Sequence, residues 1–187
     1  MEITKTITVT NRKEWRAWLQ EHYRSDPDIW MIFYKKSSGQ TRISYNEAVE
    51  EALCFGWIDS QVKGIDSLKY AQRFSPRKPG RPYSQANRER LHALIRQGLV
   101  IPEVLKDVGD IDLENFIIGE DIIAAIKANQ EAWYHFQSFS DSYKRVRIGY
   151  IEGARNRPPE FQKRLAYFIK RTAANKQIGF GGIGKYY

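Results

Sequence analysis

The sequence predicts an α+β fold, a small, mostly antiparallel sheet covered by helices and followed by a C-terminal helical lobe. Three observations predict it. Runs rich in β-branched and aromatic residues (Ile3 to Val9, Ile29 to Tyr34, Trp57 to Lys63, Lys69 to Ser75) fall in the first half of the chain. Apolar residues at helical spacing dominate everything after Ile122. Between the halves, Lys106 to Asp121 sets Asp107, Asp110, Asp112, Glu114, Glu120 and Asp121 against a single lysine and reads as a linker. The expected division is therefore an α+β lobe over residues 1–105 and a helical lobe over 119–187.

Ile3 to Val9 alternates apolar and polar residues, as a half-buried strand does. Thr10 or Asn11 caps a helix that places Trp15, Trp18, Leu19 and His22 on one face, and Asp26-Pro27-Asp28 breaks it. Ile29 to Tyr34 is a nearly continuous apolar run, the pattern of a central strand, and the turn Ser37-Ser38-Gly39 follows it. Ser44 and Glu47 stand at capping-box spacing. Behind them Tyr45, Ala48, Val49, Ala52 and Leu53 form a helical stripe with Glu47, Glu50 and Glu51 turned outward, and Gly56 suits the helix C-terminus. Trp57 to Lys63 and Lys69 to Ser75 form a hairpin around Gly64-Ile65-Asp66-Ser67.

Pro76 to Pro82 is a Pro/Gly/Arg loop. Ser84 caps a helix bearing Leu91, Leu94 and Ile95 that stops at Gly98, and a shorter helix starts near Pro102. Three helices are expected beyond the linker. The first covers about 119–138. The second covers about 141–154, with Tyr143, Val146, Tyr150, Ile151 and Ala154 inward. The third follows Pro158-Pro159, with Phe161, Leu165, Phe168, Ile169 and Thr172 inward. Their outer faces carry Lys144, Arg145, Arg147, Lys163, Arg164, Lys170 and Arg171.

Composition bounds the function. At 187 residues, 42% hydrophobic and 13% aromatic, the chain buries enough apolar surface to exclude disorder. A formal charge of +8 favours anionic partners, whether phosphorylated metabolites, nucleic acid or acidic membrane. Cys54 is the only cysteine, which excludes an intrachain disulfide. No secretory signal is visible at Met1 to Lys5 and no apolar run spans a bilayer, so a cytoplasmic protein is expected. His22, His92 and His135 are far apart in sequence, so neither metal nor other cofactor is expected.

The run Glu50-Glu51-Ala52-Leu53-Cys54-Phe55-Gly56-Trp57-Ile58-Asp59-Ser60 is distinctive. With Tyr70-Ala71-Gln72-Arg73-Phe74-Ser75-Pro76-Arg77-Lys78 and Ser84-Gln85-Ala86-Asn87, it resembles the YdeI/OmpD-associated family of bacterial proteins, also labelled bacteriocin-protection proteins. Tyr150-Ile151-Glu152-Gly153-Ala154 and the stretch from Arg164 onward are similar to that family's tail. The resemblance implies association with an outer-membrane porin and protection against antimicrobial peptides. No established reaction comes with it. In one departure, Arg81-Pro82-Tyr83-Ser84 stands where relatives place a Trp two residues after a Ser.

The candidate ligand-binding residues are Trp57, Asp59, Tyr70, Arg73, Phe74, Arg77, Tyr83 and Asn87. Arginine forks grip carboxylate or phosphate, and aromatic faces stack on planar groups. Strand alternation puts Ala71, Arg73 and Ser75 on one face and Tyr70, Gln72 and Phe74 on the other, so Arg73 and Phe74 meet one ligand only across a bulge or twist. The competing reading puts Trp57 and Phe74 in the core, pairs Asp59 with Arg73, and leaves the loop arginines solvated. Cys54 follows a helix end in an apolar stretch and reads as a buried structural thiol. Gly179 to Lys185 matches the GxxxxGK part of a phosphate loop. However, Tyr186 stands where Ser or Thr is required and no strand clearly precedes it, so that reading is rejected.

The leading expectation is a non-enzymatic binding or protection module that holds a small anionic ligand or a peptide carboxylate. One alternative is an enzyme acting on an anionic metabolite, with Asp59 as acid/base and Arg73 and Arg77 as clamps. Another is nucleic-acid binding by the basic C-terminal helices.

Overall fold

The computed structural model describes residues 2–78, 80–109, 111–179 and 184. It is an α+β protein, and among the described residues four strands form one sheet in the order β1-β2-β4-β3. Strand β1 is Thr6–Ile7, β2 Ile29–Tyr34, β3 Trp57–Gly64 and β4 Lys69–Pro76. Only the β1–β2 pairing is parallel, and β2–β4 and β3–β4 are antiparallel. The expected strand over 3–9 shrinks to two paired residues. By Thr10 the backbone has left the sheet, its N–H donating to Glu14 Oε2 at 2.8 Å in a helix-capping arrangement.

Helix α1 (Arg12–His22) starts at Asn11, whose side chain accepts from the Lys13 and Glu14 amides. Helix α2 (Tyr45–Cys54) carries the full capping box between Ser44 and Glu47. Gly56 sits at φ +71°, left-handed backbone that a side chain would strain, so the turn into β3 requires glycine there. Both helices cover the sheet face formed by Ile29, Met31, Phe33, Tyr70, Phe74 and Trp57. Trp15 packs 5.4 Å from Phe74, and Trp18 meets Trp57 edge-on at 5.7 Å. Two of the buried indole N–H groups are satisfied by backbone: Trp15 donates to Ala48 O and Trp57 to Tyr23 O, each at 3.0 Å.

Glu50 and Glu51 correct the expected orientation of α2. Both are buried, at 1% and 2% exposure. Arg12 and Arg16 of α1 reach across to them. Arg12 donates to Glu51 through Nε and to Glu50 at 3.0 Å, and Arg16 donates to Glu51 at 2.7 Å and to Leu99 O at 2.8 Å. Burial works against both guanidinium charges, and the hydrogen bonds and charge of Glu51 outweigh it, holding both above the ordinary arginine value.

Helix α3 (Gln85–Arg96) ends before Gly98, and α4 (Pro102–Val108) opens on proline at its first position. The acidic stretch is thus partly helical at both ends. Its middle is irregular, with the Asp112 carboxylate accepting from the Glu114 and Asn115 amides. The expected helix over 119–138 is two, α5 (Glu120–Lys127) and α6 (Gln130–Ser138), because Asn129 turns its side chain to cap Ala132 N–H at 2.9 Å. Helices α7 (Asp141–Glu152) and α8 (Pro158–Ala173) follow. Ile122, Ile126, Phe136, Tyr143, Ile148, Ile151, Phe161, Leu165 and Phe168 make their core.

The chain forms two compact units. One comprises Met1–Arg81 and Ala93–Gly109, the other Pro82–His92 and Asp110–Tyr187. Within the second, Glu89 of α3 receives the Arg145 guanidinium of α7 at 2.6 and 3.1 Å, and Gly149 lies one turn further along α7 beside Gln85. A Cβ on Gly149 would sit 2.5 Å from the Gln85 Cβ, so this close antiparallel approach requires glycine. The phosphate-loop-like tail lies, apart from Gly179 and Gly184, outside the described residues.

Candidate functional site

Six of the eight residues singled out in the sequence lie in the first unit, and there Arg73 faces away from Trp57, Tyr70 and Phe74. Trp57 and Phe74 are fully buried in the sheet–helix core. Tyr70, on the same face, stacks on Phe33 with ring centres 5.2 Å apart, and burial raises its phenol pKa. Asp59 accepts from the Tyr45 hydroxyl at 2.7 Å. Arg73 occupies the opposite face, as alternation requires, opposite Trp30 in the β2–β4 register. Its partner is Asp28 at 2.7 Å, and not Asp59 as the competing reading had it. Arg77 leaves the sheet and donates to Arg81 O. Tyr83 and Asn87 fall in the second unit, where Asn87 Oδ1 accepts from Arg90 at 2.9 Å.

Cys54 is buried, as its apolar neighbours imply. Burial, reinforced by the Glu51 charge, pushes its thiol up to about 12, far from a nucleophilic thiolate. Among the described residues no group of His, Cys, Asp and Glu converges as a metal site.

The second unit holds a cleft of about 280 Å³ between α7 and α8. Arg147, Tyr150 and Ile151 line it from α7, and Glu160, Lys163, Arg164, Tyr167 and Phe168 from α8. These positions recur at three- and four-residue spacing, which is why one face of each helix presents them together. Ile178 and Gly179 close one side, and the Ile178 amide is anchored to the Tyr143 hydroxyl at 3.0 Å. Ile151 and Phe168, each 1% exposed, form an apolar floor, while Tyr150 and Tyr167 are about half exposed at the rim.

Electrostatically the cleft is positive, with three cations around one carboxylate. Arg164 organises it. Its Nε donates to Glu160 at 2.8 Å, another guanidinium nitrogen donates to Tyr150 O at 2.6 Å, and the guanidinium carbon lies 3.8 Å from the Tyr150 ring centre. That hydrogen bond, with the charges of Arg164 and Lys163, holds the Glu160 carboxyl below its ordinary range. Arg147 is buried at 4% exposure, a charge held in a low-dielectric wall.

The sequence named Arg147, Lys163 and Arg164 as outward basic residues and Tyr150 as core. Here the first is buried, Arg164 is bonded inward, and Tyr150 is exposed. The missed signal was the run Glu160, Lys163, Arg164, Tyr167 at helical spacing, a polar stripe bordering the apolar one rather than opposite it.

Comparison with family models gives two matches. Residues 7–107 match a domain of unknown function (DUF8412), and residues 115–175 match the family described as bacteriocin-protection, YdeI or OmpD-associated. The residues 50–60 and 70–87 fall in the first match, and the helices of the cleft fall in the second. No curated protein matches the chain, and no solved structure does.

Proposed function

The chain belongs to the DUF8412 family, with a YdeI/OmpD-associated segment behind that domain, and on this premise we propose that it is a binding module rather than an enzyme. Its α7–α8 cleft takes a small anionic group, and its contribution to bacteriocin protection runs through that ligand. The observation that carries this reading is the excess of cations, Arg147, Lys163 and Arg164 against Glu160, around an apolar-floored cavity.

Two further points support binding over turnover. The described lining holds no His, Cys, Ser or Asp, and its one carboxylate is tied to Arg164 and kept ionised, a poor proton carrier near neutrality. The net charge of +8 also opposes direct capture of a cationic peptide, so the ligand is anionic.

The test is amide-resolved NMR titration of the full chain with acetate, benzoate and inorganic phosphate. Shifts clustering at residues 147–168 and abolished by Lys163→Glu are expected. Shifts confined to 70–77 would return the site to the Arg73 region, and no shifts with any anion would end the reading. Turnover of an anionic metabolite that disappears in Asp59→Asn would favour an enzyme instead.

A further inference from the structure

We propose that the solvent face of α8 binds single-stranded nucleic acid, a surface and a partner beyond the small-anion cleft described above. Of the basic residues that helical spacing turns outward in the C-terminal part, the fold commits most. Lys144 pairs with Asp141, Arg145 with Glu89 and Arg164 with Glu160, while Arg147 is buried. What remains is on α8: Lys163, Lys170 and the half-buried Arg171, joined by Lys176 just past the helix end. Lys163, Lys170 and Lys176 are exposed, and among the described residues none of them makes an ion pair or a side-chain hydrogen bond. Lys163 adds to the field at Glu160 without pairing with it. No Asp or Glu follows Glu160 in the chain, so this charge has no local counterpart.

The cations are arranged around an aromatic ring. At about 100° per residue, Lys163, Tyr167, Lys170 and Ala174 share one stripe about 60° wide. That stripe lies opposite the buried Phe161, Leu165, Phe168 and Thr172, and Tyr167 on it is 52% exposed. Lys163 and Lys170 stand about 10.5 Å apart along the axis, at about 1.5 Å per residue, with Tyr167 between them. Asn175, at φ +50°, then closes the helix. Its amide donates to Thr172 O and the Lys176 amide to Arg171 O, each at 2.9 Å, which ties the Lys176 backbone to the last turn.

Uncommitted cations on either side of an exposed ring suit an unpaired strand, whose phosphates run past the lysines while a base stacks on the ring. A duplex keeps its base faces stacked on one another and offers none to Tyr167. An anionic membrane is the poorer match, because interfacial helices insert an apolar face and that face of α8 is spent on the core. Lys163 and Tyr167 also border the α7–α8 cleft, whereas Lys170 and Lys176 do not line it, so the two surfaces can be tested apart.

The experiment follows the anisotropy of a labelled oligothymidylate of about twelve nucleotides with the full chain, between about 50 and 200 mM salt. The log of the association constant is expected to fall with log salt at a slope of about −2, from about −0.7 per phosphate over three contacts. Lys170→Gln with Lys176→Gln should flatten the slope to about −0.7 while acetate still shifts the amides at 147–168. Tyr167→Ala should weaken binding about tenfold at unchanged slope, and Tyr167→Phe should restore it. Failure to bind the strand, or a slope that the double lysine substitution leaves unchanged, overturns the proposal whatever acetate does at the cleft. Duplex bound as tightly as strand, or Tyr167→Ala without effect, overturns the single-strand reading. Capture by vesicles of equal phosphatidylglycerol and phosphatidylcholine without oligonucleotide binding overturns it in favour of a membrane surface. Strand binding as expected with no acetate shifts upholds it and ends the cleft reading alone.

Discussion

The paired acids of α2 give the sharpest test of the fold's energetics. Glu50 and Glu51 have side chains 1% and 3% exposed, while Arg12 and Arg16 remain 32% and 27% exposed. The two ends of this network are therefore not equivalent. Arg12→Ala with Arg16→Ala leaves two carboxylates buried without their cations, and breaking a buried pair in that direction costs about 3–5 kcal/mol. Glu51→Gln leaves arginines that are a third exposed. Arg12 keeps Glu50, Arg16 keeps Leu99 O, and water screens what remains, so the cost is about 1–2 kcal/mol. With a urea m-value of roughly 2 kcal/mol/M, the double arginine variant should lose about 2 M in midpoint and Glu51→Gln about 0.5–1 M. Tryptophan emission is the readout, because Trp15, Trp18, Trp30 and Trp57 all lie in the unit that holds the network. Equal losses, or a larger loss in Glu51→Gln, would refute the argument that the buried partner sets the cost.

Two other predictions follow from single positions. The Cys54 thiol, raised to about 12 in the fold, stays protonated where an unfolded cysteine ionises, so between about pH 9 and 12 the wild type should lose about 1.4 kcal/mol per pH unit relative to Cys54→Ala; parallel alkaline unfolding curves would refute it. Gly149→Ala forces a Cβ to 2.5 Å from Gln85 and should cost about 1–3 kcal/mol, measured as a fall in the thermal midpoint at 222 nm.

Local signals in the sequence resolved well. The capping box at Ser44, the hairpin from Trp57 to Pro76 and the opposite facing of Arg73 and Phe74 all depend on near neighbours, and each is present. What escaped was pairing at a distance. Glu50 and Glu51 read as solvent-facing because their cations lie on another helix, 35 to 39 positions away. Arg73 looked free because Asp28 is 45 positions off. The split at Asn129 went unseen because it carries neither proline nor glycine, only a capping side chain. The cleft needs α7 and α8 to face one another, and the spacing within either helix alone does not say so.

The passage of residues 82–92 into the second unit, before 93–109 rejoin the first, bears on how such a chain is inherited. A recombination junction placed in the acidic stretch, between the two family matches, would deliver the α5–α8 helices without Gln85 and Glu89. Arg145 would arrive stripped of its carboxylate, and the bare backbone at Gly149 would face no partner. A crossover upstream of Pro82 carries the α3 segment along and keeps both the Arg145–Glu89 pair and the Gly149–Gln85 approach.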